Sequence, residues 1–509
     1  MSVEELNNAD PVTEPTYGNW NKKPRGGLYN LGPAGTLMAG GGVVLVLLTF
    51  MFTRSLLVGG VVLFIVIGLV ALLVVPDRHN RNSLIRVRSR VRWWHAKATG
   101  SNLYRSGPLT PQSTHRLPGI LGTTTSNEFT DGAGRPFVML SYKAGYHTIV
   151  FKSFPDGSTN ANPEVVNFSV AKFGAWLASQ GETLGLIGSS VTFETAPDTG
   201  GRLSREIASR VKSTAPSLAK DVMDEISQTY PSGSADTNCW ITMSFTERGR
   251  VVKARGEADR IQKMAASLAV EIPDMILTLT GTGAGVVRPM DVQSLCEAVR
   301  VGYDPQAAAA VEEARSLGVS VQAMNWEDVG PVAYEPGWDY FVHDSGVSTT
   351  AVMTLPPRQA VHSQVLLRML SPSPNVLRKR VTLHYRPLPV EEAAAAVERD
   401  RDNAIFALGA SKRKTARLSR DVSIAEQTAK EEASGAGLDD FALALTLTVA
   451  SADKLPDARN AIKTLGTVTK LRMRICYGYQ DSAFAFTLPL GYQPQRHIKL
   501  PRVVMKVIG

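Results

Sequence analysis

The nearest approach to a phosphate cradle in this 509-residue chain is Gly281-Thr282-Gly283-Ala284-Gly285. A Walker A loop needs Gly-x-x-x-x-Gly-Lys-Ser/Thr, so that backbone N–H groups hold the phosphates and the lysine reaches the outer ones. The chain has no Gly-Lys dipeptide. That excludes the commonest motor chemistry and leaves the glycine cluster as a turn. Neither His-Glu-x-x-His nor Cys-x-x-Cys occurs, so the usual metal spacings are missing. Eight histidines, at 79, 95, 115, 147, 343, 362, 384 and 497, stand singly and read as structural or solvated. Ser189-Ser190 and Ser232-Gly233-Ser234 lack a base at recognisable spacing and read as loop residues. A triad gathered from distant segments would leave no local signature. The sequence therefore offers no catalytic, cofactor-binding or metal-ligating residue. The expectation is a non-enzymatic chain without a cofactor.

The residues that do form a pattern are basic. Arg78, Arg81, Arg86, Arg88, Arg90, Arg92 and Lys97 lie within twenty positions that hold no acid between Arg78 and Lys97. These seven account for most of the formal +9, leaving +2 for the rest of the chain. The charge is a stripe, not a basic domain. Its simplest reading is contact with anionic lipid head groups, worth about 1 kcal/mol per residue near a surface. Trp93 and Trp94 fit as interfacial aromatics. The candidate surface-contact set is thus Arg78, Arg81, Arg86, Arg88, Arg90, Arg92, Trp93 and Trp94. Nucleic acid is the competing partner for such a stripe. The lipid reading is preferred because the stripe directly follows an apolar run.

Two uncharged apolar runs precede the stripe. The first is densest from Leu37 to Phe52, the second runs from Leu56 to Pro76, and Thr53-Arg54-Ser55 separates them. Each is long enough to cross the roughly 30 Å hydrocarbon core of a bilayer as a helix. With Lys22, Lys23 and Arg25 before the runs and the arginines after them, the positive-inside rule puts both ends in the cytoplasm. Gly40, Gly41, Gly42, Gly59 and Gly60 permit close helix contact, either within the hairpin or with another subunit. Three scattered cysteines, Cys239, Cys296 and Cys476, suit a reducing compartment.

The elements that follow alternate in type. Strands are expected at Pro136–Tyr142, His147–Phe154, Leu184–Glu194 and Cys239–Thr246. Helices are expected at Val165–Ser179, Leu203–Lys212, Ser217–Tyr230 and Glu257–Val270. Ser106–Asn127, with Pro108, Pro111 and Pro118, reads as a linker. The second half repeats the style. Glu391–Ser434 is charged, Ala-rich and nearly free of breakers, so it is a long helix or a helical hairpin. The expected fold class is α+β: an N-terminal two-helix transmembrane hairpin followed by a two-lobed cytoplasmic region. The expected divisions are a tail at 1–30, the hairpin at 31–76, a basic helix and linker at 77–115, and lobes at 116–288 and 289–509.

Tyr17-Gly18-Asn19-Trp20, the apolar hairpin and the basic exit resemble the PrgI-like small inner-membrane subunit of type IV secretion and conjugation systems. The run Glu431-Glu432-Ala433-Ser434-Gly435, Leu438 to Val449, Leu455 to Leu465, Gln480-Asp481-Ser482-Ala483-Phe484 and Leu488-Pro489-Leu490-Gly491 is similar to the non-motor N-terminal domain of the conjugation ATPase. Phe193-Glu194-Thr195-Ala196-Pro197-Asp198-Thr199-Gly200 and Thr229-Tyr230-Pro231-Ser232-Gly233-Ser234-Ala235 resemble large PrgI-like proteins of actinobacterial conjugative elements. The resemblance implies a structural inner-membrane subunit of a conjugative DNA-transfer complex. Its implied partners are an ATPase supplied in trans, other polytopic secretion subunits and anionic lipid, without direct nucleic-acid binding. It implies a two-span protein of the cell membrane with both termini cytoplasmic, and no catalytic residue is carried over. A structural subunit of a type VII secretion complex is the alternative. A membrane-anchored enzyme and a tethered nucleic-acid binder are readings from other classes.

Overall fold

In the computed structural model the described residues are 17, 18, 20, 32–53, 56–74, 83–107, 110, 114–157, 161–212, 214–250, 254–316, 324–357, 359–373, 375–411 and 415–497. Contacts divide the chain into two compact units. One comprises 1–19, 103–394 and 430–493; the other comprises 20–102, 395–429 and 494–509.

In the second unit, both apolar runs are helical, as α1 (Gly32–Thr53) and α2 (Leu56–Val74), and α3 (Ser83–Thr99) follows. The helices α1 and α2 pack on each other. A Cβ on Gly42 would run into Val66 Cγ1, and one on Gly59 would lie 3.6 Å from Phe50. Gly42 and Gly59 thus serve contact within the pair, whereas a Cβ on Gly40, Gly41 or Gly60 would meet nothing within 4 Å. The transmembrane expectation is overturned: among the described residues no helix is long and apolar enough to cross a membrane. The side chains described in the two helices span 40–53 and 57–68. The expected fold class is corrected accordingly. With it go the transmembrane hairpin, the two-span inner-membrane location and the cytoplasmic placement of both termini. The expected tail at 1–30 lies almost wholly outside the described residues.

The first unit carries the sheet. In chain order the elements are β1 (Tyr104–Arg105), β2 (Thr125–Thr130), β3 (Pro136–Tyr142), β4 (Tyr146–Phe154), α4 (Pro163–Gln180) and β5 (Leu186–Pro197). Then come α5 (Gly201–Arg210), α6 (Ser217–Gly233), β6 (Ala235–Thr246), α7 (Glu257–Thr278), β7 (Val286–Pro289), α8 (Val292–Tyr303) and α9 (Ala307–Ser316). The second half holds β8 (Ala333–Pro336), β9 (Phe341–His343), β10 (Gly346–Leu355), α10 (Leu367–Leu370), β11 (Arg378–Pro387), α11 (Val390–Ala410) and α12 (Ala416–Ala433), of which α11 from Ala395 and α12 up to Ala429 belong to the second unit. It closes with β12 (Asp439–Val449), α13 (Leu455–Val468), β13 (Arg472–Ile475) and α14 (Gln480–Phe486). Local caps fix several starts. Asn162 accepts from the Glu164 N–H ahead of Pro163, and Asp291 accepts from the Ser294 N–H.

The two expected lobes share a single 13-stranded sheet, ordered β1-β8-β9-β10-β12-β11-β5-β6-β4-β3-β2, with β13 on β10 and β7 on β4. The strand pairs are antiparallel. The order is an internal duplication. The run β3-β4-α4-β5-α5-α6-β6-α7-β7-α8 has the same succession as β9-β10-α10-β11-α11-α12-β12-α13-β13-α14. Each half arranges its strands alike, and the halves meet where β5 pairs with β11. At that seam Thr192 stands opposite Thr382, and their hydroxyls are 3.0 Å apart. Around them Val191-Thr192-Phe193 matches Val381-Thr382-Leu383, and Pro197 matches Pro387.

Alternation along the strands sorts the core onto two faces. On one face Leu140, Val150, Trp240 and Phe341 pack with α8, α14 and Leu488-Leu490. On the other, Met139, Ile149, Ile241 and Met243 pack under α7 with Trp176, and Ala351, Val381 and Leu445 pack under α13. The presumed linker is partly core: Leu117 and Leu121 are buried in the first face.

Candidate functional site

The basic stripe lies on α3. Arg86, Arg90, Arg92 and Trp94 are exposed there, Trp93 is half-buried, and Lys97 sits 5.3 Å from the Trp93 ring centre. Arg78 and Arg81 lie outside the described residues, and so does the side chain of Arg88. The structure therefore brings Arg86, Arg90, Arg92, Trp93 and Trp94 onto one helix and leaves the other candidates open.

The glycine cluster is a turn between α7 and β7. Gly281, Gly283 and Gly285 have φ of +78°, +84° and +61°. A Cβ on Gly285 would run into the Phe154 carbonyl oxygen. The glycines are needed for left-handed backbone and a close approach, not for phosphate.

A serine–histidine–carboxylate chain does exist, and local spacing could not reveal it. Ser141 Oγ is 2.8 Å from His147 Nδ1, and His147 Nε2 is 3.3 Å from Glu247 Oε1. Ser141 and His147 are opposite residues of β3 and β4. Ser141 also pairs with Thr125 of β2, so its backbone is committed to ladders on both sides. Both side chains are buried, and burial pulls the His147 imidazole below its usual value, with Glu247 opposing. A nucleophile needs an approach for substrate and donors for the oxyanion. The arrangement reads as a buried polar pair with an orienting carboxylate. His343 is held the same way, 2.5 Å from the Tyr303 carbonyl and 2.7 Å from Ser348 Oγ. Burial pushes His343 and His384 down to about 4. Among the described residues no group of three His, Cys, Asp or Glu could hold a metal.

The densest polar chemistry is at the seam of the two halves. Glu194 of β5 faces Arg380 of β11 across the ladder. Its carboxylate lies 2.5 Å from Arg378 Nη1 and 3.0 Å from Arg380 Nε. The three side chains are almost fully buried. Arg380 also donates to the Gly302 carbonyl at 3.2 Å and stacks 4.6 Å from the Phe484 ring centre. Burial pulls the Arg380 guanidinium down, and Glu194 opposes that pull. The geometry leaves no room for a substrate: it is a clamp.

The segment from Gln480 to Gly491 covers this clamp. Gln480 Oε1 accepts from the Thr350 N–H at 2.8 Å, and its Nε2 donates to the Thr350 carbonyl at 3.2 Å. Phe484, Leu488 and Leu490 are buried. The Leu490 carbonyl accepts from the Tyr142 hydroxyl at 2.5 Å, and the Gly491 carbonyl accepts from Ser244 Oγ at 3.0 Å. Thus the Gln-x-x-Ala-Phe…Leu-Pro-Leu-Gly run is a plug on one sheet face. Two open clefts lie elsewhere. One of about 390 Å³ lies between Pro356, Gln359 and Lys470. The other, of about 540 Å³, lies between Arg116, Ser126 and Trp326.

One carboxylate is held out of its usual range. Asp439, opposite Pro387, is raised to about 6, first by burial and then by Asp440. A raised carboxyl favours folding in its protonated form. That contribution is full below the unfolded value near 3.9 and is lost as pH rises through 6. Asp439→Asn is therefore expected to stabilise the chain by about 2 kcal/mol at pH 8, with the gain vanishing near pH 3.5. Denaturation midpoints of both proteins across that range check the sign.

A family model described as a domain of unknown function (DUF8461) matches residues 24–84, the apolar helices and the first part of the basic stripe. No curated protein matches the chain.

Proposed function

We propose that the chain is a non-catalytic scaffold subunit of a type IV secretion (conjugative DNA-transfer) complex, docking an ATPase supplied in trans. The observation that supports this most is the fate of the ATPase-like run. Gln480, Phe484, Leu488 and Leu490 are spent on closing the sheet, with Phe484 and Leu490 at 0% exposure. A chain that keeps this plug without a Walker loop has the build of a docking domain and not of a motor. The clamp between the two halves of the sheet is buried, so it offers no site for a substrate. Other secretion subunits are the further partners.

The test is an affinity pull-down of the tagged full-length protein from its native cells, read by mass spectrometry. The expected result is a Walker-motif ATPase recovered with conjugation subunits, together with loss of DNA transfer on deletion. Transfer that survives deletion would end the proposal. Recovery of type VII secretion components would replace it with that assignment.

A further inference from the structure

Helix α6 carries an apolar ridge at helical spacing that the chain leaves in water. Leu218, Val222, Ile226 and Tyr230 follow one another every four residues, at 72%, 44%, 39% and 65% exposure. Met223 widens the ridge and is also exposed. Asp221 and Glu225 run along one edge, and Asp224 lies beyond them, all exposed. A helix has about 3.6 residues per turn, which puts Glu225 beside Leu218 and Val222 on that edge. In the equivalent helical pair of the second half, Ala393, Val397 and Ala425 are buried, whereas no residue of α5 is.

Helix α3 carries the complementary pattern. Val87, Val91 and Trp94 form an exposed ridge at i, i+4 and i+7, and Val91 and Trp94 are at 62% and 73% exposure. Arg86, Arg90 and Lys97 flank it on one side, and all three are exposed. Two α6 ridges would set acidic edges against each other, and two α3 ridges would oppose arginines. An α6 ridge against an α3 ridge covers apolar surface on both and sets carboxylates against guanidinium groups.

We propose that α3 of one copy of this chain docks along α6 of a second copy, ridge into groove, with Asp221 and Glu225 meeting Arg86 and Arg90. The contact is heterologous, so repetition closes a ring or extends a filament. It concerns self-assembly and does not depend on the identity of the ATPase.

Two differently tagged full-length chains, one Val91→Cys and one Ile226→Cys, are mixed and oxidised. The native cysteines are buried, which keeps the background low. The expected product is a mixed disulfide dimer, at least tenfold above either chain alone, with a yield that falls as salt rises. Asp221→Lys with Glu225→Lys should cut the yield at least tenfold, and Arg86→Glu with Arg90→Glu on the other chain should restore it. Circular dichroism of each variant confirms that it is folded. A folded pair that gives no mixed disulfide overturns the proposal. So does a Val91→Cys/Ile226→Cys chain that closes only on itself at high dilution. Binding of α3 to anionic vesicles in place of α6 would equally overturn it.

Discussion

Replacing Glu194 by alanine is expected to destabilise the sheet by about 3–5 kcal/mol, the typical result of breaking a buried ion pair from one side. The reason is the charge left behind. Arg378 and Arg380 would keep their guanidinium groups on one buried face with no carboxylate between them. Arginine stays protonated under ordinary conditions, so the site cannot relieve itself by losing a proton. Replacing all three residues by apolar ones of similar volume, in the triple variant Glu194→Leu, Arg378→Met, Arg380→Met, should cost far less. Urea denaturation of the single and triple variants compares the two. If Glu194→Ala loses less than about 1 kcal/mol, the clamp is not what holds the two halves together. The double-mutant cycle of Glu194 with Arg380 should show a coupling well above the 0.2–1 kcal/mol of exposed pairs.

The second large effect is at Gly491. Its φ is +60°, in the left-handed region that a side chain makes costly. A Cβ there would fall well inside contact with Thr148 Cγ2 and 2.8 Å from Ser244 Oγ. Thr148 and Ser244 hydrogen-bond to each other at 2.9 Å, so neither can turn away without breaking that bond. Backbone strain and overpacking together should make Gly491→Ala cost about 2–4 kcal/mol. Gly409→Ala is the control. It has no neighbour within 4 Å and lies in α11, so it should be neutral or stabilising by up to about 1 kcal/mol. Thermal melts of the two variants separate the positions. Equal melting temperatures would show that the plug is not seated against β4 and β6.

Much of the local structure is legible in the residues. Pro136–Tyr142 is a strand over the expected span, and Val165–Ser179 lies inside α4. Glu391–Ser434 is two helices, α11 and α12, so of the two readings it is the hairpin. Pro273 lies within α7, which runs to Thr278 and not to Val270. Where propensity and pattern were weak, reading failed. Gln359–Leu370 reads as a helix from its residues but is α-helical only at Leu367–Leu370, and the edge strand β2 starts inside the expected linker. The serine–histidine–carboxylate chain and the Glu194 clamp each join residues far apart in sequence, 100 positions for His147 and Glu247 and 184 for Glu194 and Arg378. No local period reports such pairs.

By itself the sequence determined the helices and most long strands, because apolar period and turn residues act over a few positions. It also determined that no Walker loop or common metal spacing is present. It determined that two uncharged apolar runs form near the start of the chain, but hydropathy does not say what they meet, and the membrane span inferred from it failed. Only the tertiary structure decided the single sheet, its seam at Thr192 and Thr382, and the burial of Glu194 between two arginines. Those depend on which strand lies beside which, and pairing between distant segments is set by the packing of the whole core.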